Sequence, residues 1–111
     1  MPANEKLAQR LREGLESVAR VKEKKMFGGI AFMVNGKMCI NVGSDYLMVR
    51  IDPADYDLLI EKPGCTPVVM RGRDIRGFVY VDEEALRTKK QLDAWIHRAL
   101  AFNPKARAFK K

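Results

Sequence analysis

The stretch KKMFGGIAFMVNGK, residues 24–37, decides how this chain folds. It contains an apolar run that ends at Asn35-Gly36, and both central residues of a type I′ turn must accept positive φ, which Asn and Gly do most readily. An apolar run closed by Asn-Gly therefore predicts a β-hairpin with a two-residue loop.

A two-residue loop also predicts which residues pair across the hairpin. The expected pairs are Val34 with Lys37, Met33 with Met38, Phe32 with Cys39, and Ala31 with Ile40. Since directly opposed residues share a sheet face, one face is expected to form the core, with Ala31, Met33, Met38, Ile40 and Val42. The other face is expected to be half wet, with Ile30, Phe32, Lys37, Cys39 and Asn41.

Ile30 and Phe32 are more apolar than a free surface requires. We therefore predict that they form a dimer or partner face. The alternative is that the helices of the chain itself cover this face.

The flanking sequence supplies the other elements. The spacing of Leu7, Leu11 and Leu15 predicts a helix over residues 5–19 with Asn4 as its N-cap. The remaining predicted elements, in chain order, are a strand at 46–51, a short helix that starts at Asp52-Pro53, strands at 67–71 and 75–81 joined by Gly72-Arg73-Asp74, and a helix at 88–102.

The resulting order, α-β-β-β-α-β-β-α, predicts the fold class. Hairpin-length connections favour a two-layer α+β fold with a mainly antiparallel sheet of about five strands and helices on one face. The 111 residues suit one domain, which we place at residues 1–104, followed by a basic tail at 105–111.

Composition narrows the class of protein. With 47% hydrophobic and 8% aromatic residues the chain is expected to be ordered and globular. No stretch approaches the roughly 20 apolar residues of a membrane helix, and the N-terminus is polar. We expect a cytoplasmic protein with no membrane contact.

The residue types that carry catalysis or bind metals are sparse. Cys39 and Cys65 are too few for a disulfide scaffold, and with His97 they have no zinc-ligand spacing. We expect both to be buried, reduced thiols; a redox pair is the alternative. Asp93 and His97 stand at the spacing of a helix-surface pair.

Two further motifs have structural interpretations. Asp52, Asp55 and Asp57 suit helix capping and the helix dipole, and Gly28-Gly29 lacks phosphate-loop spacing and suits a bulge or backbone crowding. The sequence thus predicts no catalytic residue, no cofactor and no metal, and the protein is not expected to be an enzyme.

The charge is unevenly distributed. The net charge is +7, and residues 84–111 hold eight basic against two acidic residues. Such asymmetry suits an acidic partner or a nucleic acid, although it also occurs on solvated surfaces. The cations predicted to contact a partner or nucleic acid are Lys24, Lys25, Arg50, Arg71, Arg73 and Arg76.

Across most of its length the chain resembles the N-terminal domain of TfoX/Sxy competence regulators. The family motif is carried by Lys25, Met26, Phe27, Gly28 and Gly29. Further matching segments are Ile30-Ala31-Phe32, Gly36, Met38-Cys39, 47–50, Gly72-Arg73, 77–81 and 92–95.

The resemblance implies an α+β fold of the secretion-chaperone-like kind and, in full-length relatives, an accessory role in natural transformation together with the cyclic-AMP receptor protein. The full-length regulators carry a second domain that this chain does not match. We therefore expect a non-enzymatic, regulatory binding module with a protein partner, acting as a homodimer.

The alternative is a nucleic-acid-binding domain. If strand parity holds, Tyr46, Met48 and Arg50 share one direction, as do Arg76, Phe78 and Tyr80. Aromatic and basic side chains on an open sheet can stack bases and neutralise phosphates.

Overall fold

The computed structural model describes residues 4–26 and 28–106 as one sheet with three α-helices and short 3₁₀ turns. The strands are β1 (Val21–Met26), β2 (Gly29–Val34), β3 (Lys37–Val42), β4 (Tyr46–Arg50), β5 (Cys65–Met70) and β6 (Arg73–Asp82). The helices are α1 (Glu5–Gly14), α2 (Tyr56–Leu59) and α3 (Lys89–Phe102). Within the described residues no helix is both long and apolar enough to span a membrane.

The six strands lie in the order β1-β2-β3-β4-β6-β5, and all neighbours are antiparallel. The predicted α+β class is confirmed, but the predicted count of five strands is one short. The missed strand is β1, an edge strand whose four middle residues are all charged and exposed. It has no apolar alternation from which a strand could be recognised.

Side-chain caps fix where the helices begin. Asn4 Oδ1 accepts a hydrogen bond from Leu7 N at 3.0 Å, as predicted. Thr88 and Gln91 form a reciprocal capping box at the start of α3. Asp52 caps the 3₁₀ turn Pro53–Asp55 that leads into α2, and its Oδ1 accepts from Ala54 N at 3.0 Å.

Helix α1 ends at Gly14, five residues before the predicted end, and there it meets α3. A Cβ at position 14 would lie 2.5 Å from Ile96 Cδ1. The glycine therefore allows close contact between the two helices, and the sheet is not its nearest neighbour.

The helices cover one face of the sheet and form the main core with it. The helical members of this core are Leu7, Ala8, Leu11, Tyr56, Leu59, Leu92, Trp95, Ile96 and Ala99. Its strand members include Phe32, Val34, Ile40, Val42, Leu47, Val49, Val79 and Val81.

A second cluster lies on the opposite face, which we call the open face. Its members are Ala31, Met33, Met38, Met48 and Val68, with Met26, Ile75, Phe78 and Tyr80 packed at its rim. All of these belong to strands, and none of the described helical residues joins them.

A β-bulge in the first hairpin decides which residues face the helices. The turn is type I′, with φ of 55° at Asn35 and 77° at Gly36, and Val34–Lys37 and Met33–Met38 pair as predicted. The pairing then shifts, so that Phe32 lies opposite Ile40 and Ala31 opposite Asn41.

Cys39 is the extra residue of this bulge, so the predicted pairs Phe32–Cys39 and Ala31–Ile40 are wrong. The predicted faces are wrong as well, except at Ile40 and Val42, which belong to the core as predicted. Phe32, Ile40 and Val42 share the helix-covered core, whereas Ala31, Met33 and Met38 share the open face.

The end of α3 is fastened to the first hairpin by Asn103, which is 4% exposed. Its Nδ2 donates to Val34 O at 3.0 Å, and its Oδ1 accepts from Asn35 Nδ2 at 3.1 Å. Lys37 Nζ donates to the backbone oxygen of Asn103 at 3.1 Å. Hydrogen bonds of the side chain and the backbone of Asn103 thus join the first hairpin to the end of α3.

The division into a domain at 1–104 and a tail at 105–111 stays a prediction. Lys105 ends a 3₁₀ turn that begins at Asn103. The tail beyond Ala106 lies outside the described residues.

Candidate partner-binding surface

The centre of the open face is a strip of methionines. Four of the six methionines in the chain lie there: Met26, Met33, Met38 and Met48. The strip is closely packed, but its rim at Met26, Ile75, Phe78 and Tyr80 is half-buried. Met33, Met38 and Met48 are themselves buried, so the accessible apolar surface of this face is its rim.

Basic side chains border this strip along β1. Lys22 pairs with Met33 and Lys24 with Ala31, so both lysines belong to the open face. Lys25 pairs with Ile30, which packs against the helix-covered core. The two neighbouring lysines predicted as one contact pair therefore point to opposite sides of the sheet.

A cleft of about 450 Å³ lies at this border, lined by Arg20, Lys22, Lys24, Met33, Asn35 and Gly36. Within residues 4–26 and 28–106 its three cations form no ion pair. The cleft therefore combines three cations that have no ionic partner among the described residues with one apolar side chain, Met33.

Arg50 borders the strip on the β4–β6 side. Its guanidinium lies 5.5 Å from the centroid of the Phe78 ring, and its Nη1 donates to Met38 O at 3.4 Å. Partial burial lowers the pKa of Arg50 from its usual value, yet an arginine side chain stays charged at neutral pH.

Tyr46 and Tyr80 complete this side, with ring centroids 4.9 Å apart in an edge-to-face arrangement. Met48 lies opposite Tyr80 and Arg50 opposite Phe78. The predicted common direction of Tyr46, Met48 and Arg50 is therefore confirmed.

Arg76 does not share this face. It stacks on Tyr56 at 4.7 Å and its Nη2 donates to Asp57 Oδ2 at 3.1 Å, on the side of α2. The β5–β6 pairing shifts between Pro67–Val79 and Val69–Asp74, which adds residues to β6 and breaks its alternation. The prediction that Arg76 points the same way as Phe78 and Tyr80 is wrong.

Arg71 and Arg73 lie at the exposed tip of the β5–β6 hairpin. Arg71 and Gly72 are its turn residues, with φ of 52° and 76°, and Met70 pairs with Arg73. The turn predicted at Gly72-Arg73-Asp74 is shifted by one residue. The tip joins β5 and β6, which lie at the opposite end of the sheet from the β1 lysines.

The predicted partner face at Ile30 and Phe32 is covered by the helices of the chain. Phe32 is 1% exposed in the main core, and Ile30 packs against the same cluster. The bulge at Cys39 is the reason, because it places Phe32 with Ile40. Homodimerisation stays a prediction, without this surface to support it.

The family motif has a structural role at the β1–β2 connection. Gly28 has φ of 73°, and a Cβ on Gly29 would lie 2.0 Å from Val42 O. Asn41, 2% exposed, donates from Nδ2 to Met26 O at 2.9 Å. The positive φ thus explains Gly28 and backbone crowding explains Gly29, while Phe27 lies outside the described residues.

Both cysteines are buried, as predicted. Burial raises the pKa of Cys39 to about 12 and that of Cys65 to about 11. In the described residues no three His, Cys, Asp or Glu side chains are grouped so as to hold a metal ion. The expected Asp93–His97 pair is replaced by Asp93 with Lys89, at 2.8 Å.

Sequence reasoning missed Arg20, Lys22 and Met33 at the open face. Lys22, Lys24 and Met26 alternate, which would have placed them on one side had β1 been recognised as a strand.

These features define a two-layer α+β domain in which the helices of the described residues cover only one face of the sheet. The TfoX N-terminal domain family profile matches residues 13–103, and the chain belongs to this family. No curated protein and no solved structure matches it significantly.

Proposed function

We propose that this protein is a non-enzymatic binding module that acts as an accessory factor in transcriptional regulation. Its family suggests a competence-related regulatory domain and is not a known enzyme family, which supports both parts of this proposal. We further propose that it holds an acidic protein segment on the open face.

The observation that carries this proposal is the methionine strip with its half-buried rim, bordered by the cations Lys22, Lys24 and Arg50. The half-buried rim of this face, at Met26, Ile75, Phe78 and Tyr80, supplies apolar contact area to a partner. The neighbouring charges orient the partner and speed its approach. Lys22 and Lys24 on one border and Arg50 on the other suit a segment with apolar and acidic side chains.

The test is capture from native cell extract on immobilised protein, with and without nuclease. We compare the wild type, Lys22→Glu/Lys24→Glu and the control Lys25→Glu. Lys25 is exposed on the same strand but faces the other side of the sheet. A partner on the open face should survive nuclease, be retained by Lys25→Glu and be lost from the double variant.

Equal retention by the wild type and the double variant would contradict the open-face site. Circular dichroism melting of each variant separates loss of binding from loss of folding. Equal losses in the double variant and Lys25→Glu would indicate a general charge effect.

The second candidate is direct nucleic-acid binding, favoured by the placement of Tyr46, Arg50, Phe78 and Tyr80 on one face. Base stacking would have to displace existing contacts, since Arg50 lies over Phe78 and the tyrosines pack against each other. Fluorescence anisotropy with single-stranded oligonucleotides at low and moderate salt tests it. Saturable binding, together with nuclease-sensitive capture, would favour this function over the protein partner.

A further inference from the structure

We propose that a cleft beside α3 binds a small organic anion with an apolar body. This α3 cleft has a volume of about 400 Å³, and its lining includes Lys62, Pro63, Gln91, Ala94, Trp95 and Arg98. It lies on the helix-covered side of the sheet, since Trp95 belongs to the main core. The proposal is therefore independent of the open face.

The charge of the α3 cleft is unbalanced toward positive. Within the described residues neither Lys62 nor Arg98 forms an ion pair. The one carboxylate in the lining, Glu84, already accepts from Arg87 Nη2 at 3.0 Å. A negatively charged ligand would supply the missing partner for two cations.

The same two cations act on the neighbouring Cys65 thiol. The positive charges of Lys62 and Arg98 both lower its pKa, against the burial that raises it. Lys62 and Arg98 therefore both lie close enough to Cys65 to act on its thiol, which agrees with their common place in the lining of the α3 cleft.

The walls of the α3 cleft are held by the fold. Gly64 has φ of 79°, and a Cβ there would lie 2.7 Å from the Cβ of Ala85, so the loop before β5 runs close against the 3₁₀ turn Glu83–Leu86 that follows β6. Gln91 is held by its capping box with Thr88. Arg98 is placed 5.5 Å from the centroid of Trp95. A site held in this way loses little freedom when a ligand binds.

The chemistry of the lining defines the ligand class. Lysine and arginine bind carboxylate or phosphate oxygens through charge-assisted hydrogen bonds. Pro63, Ala94 and Trp95 supply an apolar wall for a ring or a short chain. The volume lies within the range of small-molecule sites. An aromatic carboxylate or phosphate monoester meets these requirements.

Trp95 is the single tryptophan of the chain, so its emission reports on the α3 cleft directly. We titrate the whole protein with benzoate, phenyl phosphate and inorganic phosphate at constant ionic strength. The expected result is a saturable change in emission for both aromatic anions. The same titrations are followed by NMR of the Trp95 indole N–H, which does not depend on a change in quantum yield.

Lys62→Gln/Arg98→Gln should weaken this binding by about tenfold or more, which corresponds to at least one hydrogen-bonded charge. The control is Lys25→Gln/Lys105→Gln, which removes the same charge at exposed positions outside the cleft; Lys25 lies on β1, at the other end of the sheet from β5. It should leave the affinity within about twofold, because surface charges at a distance are screened.

The proposal is overturned if no probe produces a saturable change by either readout, or if the two double variants lose affinity equally. Inorganic phosphate binding as tightly as phenyl phosphate would overturn the apolar part of the site. None of these outcomes bears on capture by the open face, which depends on Lys22 and Lys24.

Discussion

Burial sets the reactivity of the two cysteines. The thiolate is the nucleophile, and Cys39 and Cys65 are 1% and 4% exposed, with pKa values raised to about 12 and about 11. Each thiol is therefore protonated at neutral pH and becomes a thiolate only as the pH rises through these values.

We predict slow alkylation by iodoacetamide in the native protein. At pH 8 the rate at Cys65 should be about a hundredfold lower than in denaturant, and lower still at Cys39, because an unfolded thiol has a pKa near 8.5. Quenched labelling with mass spectrometry measures both rates.

The raised pKa values also predict how stability depends on pH. Since the folded state holds these protons more tightly than the unfolded state, their contribution is present below the unfolded pKa. It is lost progressively as the pH rises from about 8.5 through the folded values of about 11 and about 12. Rapid labelling of Cys65 at pH 8 in protein with a native circular dichroism spectrum would contradict the burial.

At the scale of elements, the two tight hairpins differ in their turn residues. Asn35-Gly36 is well suited to type I′, whereas Arg71, with φ of 52°, holds a conformation that costs an ordinary side chain about 1 kcal/mol. Arg71 is also exposed, so nothing in its burial offsets this strain.

Arg71→Asn should therefore stabilise the domain by about 0.5–1 kcal/mol, because asparagine tolerates the left-handed region. Urea denaturation measures the free energy of unfolding. The control Arg73→Asn lies in β6, where no positive φ has to be relieved, and it should give no gain. A loss of stability in Arg71→Asn would show that the arginine side chain has a structural role.

The elements also show what can be predicted from sequence. Asn35-Gly36, the Asn4 cap and the α3 helix carry strong local signals, so their placement is confirmed. The bulge at Cys39 has no such signal, because its position depends on which face the helices cover. Strand β1 is stabilised by its pairing with β2, and its own charged residues give no indication of it.

At the scale of the whole molecule, the bulge determines which face of the sheet is core and which is open. The burial of Phe32 identifies the core face, since its side chain is 1% exposed beneath the helices. The open-face site follows from the same assignment. The α3 cleft could not be found from sequence, because it joins the loop before β5 to a helix some 30 residues later.

Phe32→Ala should lower the free energy of unfolding by about 3–5 kcal/mol, the usual cost of removing a buried phenylalanine ring. Lys24→Ala alters an exposed residue on the open face, and it should change the free energy of unfolding by less than about 0.5 kcal/mol. Urea denaturation of both variants is the measurement. If Phe32→Ala lowered the free energy of unfolding by less than about 1 kcal/mol, Phe32 would not be buried beneath the helices. The assignment of the two sheet faces would then be incorrect.

The link between Asn103 and the first hairpin has a consequence for biosynthesis. Val34, Asn35 and Lys37 leave the ribosome long before Asn103 does, and four residues of α3 belong to the same core as Phe32. The N-terminal half of the nascent chain cannot complete its interior until the last helix has emerged. Folding of this domain is therefore completed late in translation, because the early strands cannot bury their core face before α3 is available.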